Sequence, residues 1–138
     1  MAHIDRAFVG MALVWLMLGM FLGLYIGWTQ SNQFLPVHIM MLLPGFVVLS
    51  VYGFLYRLWP SMKNSGLAKA QFWLAAVAVL GQVFGAYQFV DSGATDVMVM
   101  ASSSVLAILS GLLMVWLFWT KSAESHAHSA HHHHQAAF

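Results

Sequence analysis

Along the chain, apolar residues come in four long runs separated by short polar breaks. The runs extend roughly from Phe8 to Trp28, Val37 to Trp59, Ala70 to Val90 and Val97 to Trp119, and the breaks read TQSNQFLP, PSMKNSGLAK and DSGATD. Each run has about the 20 residues that a helix rising about 1.5 Å per residue needs to cross the hydrocarbon of a bilayer. Trp or Tyr stands near several of the ends, where interfacial aromatics are expected. The breaks are too short to hold another domain. The pattern predicts an all-α, integral membrane four-helix bundle over residues 1–120, running up and down. A low-complexity tail follows over 121–138 and ends SAESHAHSAHHHHQAAF, with six of the eight histidines. With no apolar periodicity, that tail is expected to be disordered.

Charge orients the bundle. Arg6, Arg57, Lys63, Lys69 and Lys121 all fall at one end of the spans, whereas the opposite loops carry Asp91 and Asp96 and no cation. The positive-inside rule then puts both termini in the cytoplasm, with a bacterial inner membrane as the expected location. The first apolar run is too long for a signal peptide and reads as a span, so no cleavage is expected.

Composition narrows the chemistry. The chain is 61% hydrophobic and only 7% charged, too few charges to solvate a soluble domain. It has no Cys, which excludes disulfides, thiolate metal sites and cysteine nucleophiles. No paired carboxylates, nucleophilic triad or phosphate-cradling loop occurs, so hydrolysis and phosphoryl transfer have no machinery. The net charge of +1 gives no indication of nucleic acid, which is not an expected partner. Small residues recur at four-residue spacing: Gly19, Gly23 and Gly27, then Gly81 and Gly85, then Ser103, Ala107 and Gly111. Such faces let helix backbones approach within the bundle. Three of them exceed what a minimal bundle requires, and a homo-oligomer is expected.

One histidine lies at the mouth of the second run, in FLPVHIMMLLPGFVVL. On an α-helix, residues seven apart share a face, so His38, Gly45 and Tyr52 form a stripe with Met41 and Leu42 beside it. The glycine two turns below the imidazole leaves room for a flat macrocycle, with imidazole as axial ligand and apolar side chains as its wall. The alternative is a histidine that reaches interfacial water or hydrogen-bonds a neighbouring helix and binds nothing. Tyr87, near the outer end of the third run, and Tyr25 in the first fall at similar depth, as do Met98 and Met100. Tyr87 also reads as an interfacial anchor and the methionines as packing residues.

VHIMMLLPGFVVLSVYGFLYRLWP resembles the second helix of subunit I of the haem-copper oxidase and nitric oxide reductase superfamily, and more closely the small single-domain relatives of that subunit. The likeness runs on through SGLAKAQFWL and covers about the middle half of the chain. His38, Gly45 and the GAY of Gly85 to Tyr87 are also similar to the styrene oxide isomerase family of four-span haem b proteins. These resemblances imply haem b with His38 as the iron ligand and Tyr87 on the substrate side. Pro44 stands where the isomerases have an Asn, which removes an amide donor. Gln71 stands where the small relatives often have a His, and no histidine occurs in the first, third or fourth run. Ligands for a copper site and a second axial histidine are therefore missing, and oxygen reduction at a binuclear centre is not expected.

The expected function is haem b binding at an open iron site near the outer leaflet, built from His38, Gly45, Met41, Leu42, Tyr25 and Tyr52. It would serve redox or ligand chemistry, or Lewis-acid isomerisation of an epoxide-type substrate with Tyr87 as hydrogen-bond donor. The ligand would be a gas or a small hydrophobic molecule. The outer side offers no Lys or Arg for the haem propionates, leaving Trp28, Gln30, Ser31, Asn32 and Gln33 as donors. Two other readings stand beside this one: copper or zinc handling by the methionines and the tail, and a small scaffold subunit of a larger membrane complex.

Overall fold

The computed structural model describes residues 3–93 and 96–135, and of 123–135 the backbone alone. Four helical segments are long and apolar enough to cross a membrane: Ile4–Thr29, Leu35–Leu58, Gly66–Ser92 and Val97–Ser122. Helix α1 is Ile4–Thr29. The second span has three parts: α2 (Leu35–Met40), a π-helical stretch (Met41–Val48) and α3 (Leu49–Leu58). A 3₁₀ turn, Pro60–Asn64, leads to α4 (Gly66–Ser92), and α5 runs over Val97–Gln135.

The ends follow from local chemistry. Ser65 caps α4, its Oγ accepting from the Leu67 amide at 3.3 Å. Gly93 closes the same helix at φ 69°, a left-handed conformation that glycine adopts without a Cβ clash. The π stretch forms around Pro44. Proline has no N–H for the i to i−4 ladder, and the chain absorbs the lost bond by widening the turn.

Helix α5 continues as helical backbone to Gln135, past residue 121 where the tail was expected to begin. A span that is already helical supplies the nucleus, and each further residue then costs only propagation. The histidine side chains of the tail lie outside the described residues.

The core gathers at the end where the cations sit. Phe8 of α1 is fully buried there, stacked on Tyr56 with ring centroids 5.7 Å apart and meeting Phe72 edge-on at 4.9 Å. Ile4, Leu49, Met62 and Leu117 are buried around it. The outside is no less apolar: Leu24, Trp28, Trp116 and Trp119 are all more than 60% exposed. A surface of this kind is solvated by lipid.

Candidate functional site

His38 is held by backbone, not by another side chain. Pro36 sits in the first turn of α2, where its missing N–H costs nothing, and the His38 amide donates to the Phe34 carbonyl at 3.0 Å. The imidazole then lies across α1, with Nδ1 2.9 Å from the Gly19 carbonyl oxygen. A carbonyl only accepts, so Nδ1 carries the proton and donates. In a neutral imidazole so bonded, Nε2 is left with its lone pair, the form that ligates a metal.

The seat for the ring is glycine. A Cβ on Gly23 would stand 2.8 Å from His38 Cε1, so any larger residue would push the imidazole off α1. On the next turn, a Cβ on Gly19 would meet Leu42 Cδ2 at 2.6 Å and Met41 Cβ at 3.5 Å. Met41 and Leu42 therefore pack against α1 one turn from the His38 seat. The four-residue glycine spacing seen in the first span is thus the mould of this site as well as a packing face.

Gly45 and Tyr52 are placed differently from the expected stripe. A Cβ on Gly45 would lie 2.8 Å from Trp15 Cγ, so the indole of α1 already fills the space that the glycine was expected to leave for a macrocycle. Tyr52 is packed edge-on against Phe8 at 5.8 Å, its hydroxyl beside Gly111 of α5. It lies 14 residues beyond His38, about 21 Å along the helix. The π turn is the physical reason for the mismatch. It adds a residue between the two positions and rotates everything after it, so α-helical spacing no longer predicts a shared face.

Tyr25 is half exposed and meets Phe34 edge-on at 6.0 Å. Standing two residues past Gly23, it points about 200° around α1 from the His38 seat. It lines an open apolar groove with Phe21, Leu24 and Trp28. Tyr87 is half exposed near the C-terminal end of α4, and among the described residues no hydrogen bond or ring pair joins it to His38.

Two polar groups in the bundle were not read as sites. Gln71 is fully buried: its Oε1 accepts from the Tyr56 hydroxyl at 3.3 Å, its Nε2 donates to Ser110 Oγ at 3.2 Å, and the Ser110 hydroxyl donates to the Gln71 backbone carbonyl at 3.3 Å. Beside this cluster lies a cavity of about 40 Å³, bordered by Pro44, Tyr52, Gln82 and Ser110. That exceeds the roughly 15 Å³ one water needs. Among the described residues, Gln82 Oε1 is buried without a partner.

At the cation-bearing end, buried Asp5 holds Lys63 Nζ at 3.0 Å and Arg57 Nη1 at 3.3 Å. Among the described residues no three His, Cys, Asp or Glu side chains converge. A metal held by protein ligands alone would need such a group, whereas a porphyrin iron needs a single axial donor. Comparisons with protein-family models, curated proteins and solved structures give no match.

Proposed function

We propose that this chain is a haem b-binding protein of the bacterial inner membrane, with both termini cytoplasmic and His38 Nε2 as the axial iron ligand. The observation that supports it most is the Nδ1 to Gly19 carbonyl hydrogen bond at 2.9 Å. It selects one tautomer, fixes the ring and leaves the other nitrogen able to coordinate, the arrangement expected around a metal-ligating histidine. The fit comes through the donor, since Trp15 occupies the slot over Gly45. Apolar cover for the macrocycle then comes from beyond this helix pair, and a second copy of the chain is its proposed source.

Haem, when bound, would be held by His38 Nε2 and would supply iron for redox, gas-ligand or Lewis-acid chemistry on a small hydrophobic molecule. The chain's own contribution is to present an oriented neutral imidazole and to keep water away with the lipid-facing spans. Tyr87, at the same end of the bundle, is the proposed proton donor.

The same hydrogen bond also supports a structural reading, in which His38 only pins α2 to α1. Titrating the apo protein with hemin in mild detergent separates the two. Haem ligation predicts saturable one-to-one binding with a shifted Soret band, loss of that binding in His38→Ala, and its return in His38→Gly supplied with imidazole. A structural pin predicts no Soret shift in the native chain and destabilised His38 variants.

A further inference from the structure

The cation-bearing end of the bundle holds an open groove of about 390 Å³ between α1 and α3, lined by Arg6, Val9, Gly10, Leu13, Phe54 and Arg57. Arg6, Gly10 and Leu13 fall at helical spacing on one face of α1, and Phe54 and Arg57 pair in the same way on α3. The two arginines stand at the same end, since Asp5, next to Arg6 in sequence, is bonded to Arg57. Contact between the helices gives the groove its floor: a Cβ on Gly53 would lie 2.7 Å from Val9 Cγ2. A Cβ on Gly10 would meet nothing within 4 Å, so there the trough stays open.

Its electrostatics are one-sided. The one carboxylate among the groove's lining residues, Asp5, is only 5% exposed and its Oδ1 is taken by Lys63 at 3.0 Å. Arg57 is 70% exposed despite its contact with Asp5, and among the described residues Arg6 forms no ion pair. The mouth therefore presents two guanidinium groups with no free counter-charge. Away from the mouth the walls are hydrocarbon, with Leu13 50% and Phe54 60% exposed. A cationic mouth over an apolar trough, on a face that lies in a membrane, matches an amphiphile with an anionic head. We propose that this groove binds an anionic phospholipid, its phosphate on Arg6 and Arg57 and one acyl chain along Leu13 and Phe54. Guanidinium forks are suited to phosphate oxygens, and a free phosphate would leave the trough unused.

Native mass spectrometry of the full chain in neutral detergent tests this, with phosphatidylglycerol, phosphatidylcholine of matched chains and inorganic phosphate in separate arms. One phosphatidylglycerol should be retained per chain, with affinity about tenfold above phosphatidylcholine. The Arg6→Gln/Arg57→Gln variant should lose that preference. Gly10→Leu, which fills the trough and leaves both charges, should weaken phosphatidylglycerol binding about tenfold with helicity unchanged. Equal retention of the two lipids by the native chain would overturn the proposal whatever the variants do. So would a preference that survives both variants, or inorganic phosphate bound by the native chain as tightly as phosphatidylglycerol, which would mark a site for a free anion.

Discussion

At the scale of single residues, the site is one imidazole fitted to two glycines. Gly23→Ala places a methyl group 2.8 Å from His38 Cε1 and should force the ring away from the Gly19 carbonyl. Haem affinity should fall at least about tenfold, the equivalent of roughly 1.4 kcal/mol, read from hemin titration. Gly27→Ala is the control: nothing lies within 4 Å of its new Cβ, and the change should leave affinity unaltered and add about 0.5–1 kcal/mol of helix stability. Tyr87→Phe should retain haem with the native Soret band, because no bond joins Tyr87 to His38 among the described residues, and should lose only a step that needs its proton. His38 itself was legible in the sequence, as the ionisable side chain at the mouth of a span. Its partner was not. Every residue type carries a backbone carbonyl, so no letter of the sequence marks Gly19 as an acceptor.

Among the elements, the second span decides most. Its two ends were readable from apolar length, yet its internal register was not. Pro44 is visible in the sequence, but whether a helix answers a proline by kinking, breaking or widening depends on the neighbours it packs against. Here it widens, and Tyr52 leaves the His38 face for the core beside Phe8 and Gly111. Gly45 likewise became a seat for Trp15, a pairing between spans that sequence spacing within one span does not encode. Between α4 and α5 the polar tie is Gln71 with Ser110, joined by Tyr56 from α3. Gln71→Leu strands the Tyr56 hydroxyl in a buried site, while Ser110 keeps its bond to the backbone carbonyl of residue 71. Unfolding in mixed micelles should show a loss of about 2–3 kcal/mol. Ser110→Ala, which leaves the Tyr56 bond intact, should cost less.

For the molecule as a whole, one end is fastened by charge. Asp5, 6% exposed at its side chain, is shared between Lys63 at 16% and Arg57 at 70%. Removing the carboxylate in Asp5→Asn leaves the largely covered Lys63 ammonium without its counter-ion, and the expected loss is about 2–3 kcal/mol. Arg57→Gln removes a mostly solvated partner and should cost under about 1 kcal/mol, measured in the same unfolding assay. The four spans and the gathering of cations at one end were legible because bilayer thickness and the charge of loops act on composition alone. Which faces meet was not, since lipid and core accept the same side chains: Leu24 and Leu49 look alike in sequence, one 67% exposed and the other fully buried.

The central claim concerns iron bound by His38, and the pyridine haemochrome spectrum of the chain as purified tests it most directly, taken beside His38→Ala at matched helicity. The native protein should carry about one haem b per chain, and the variant should lose nearly all of it. A native chain free of haem after expression with ample haem supply, or a variant that keeps its full complement, would contradict it.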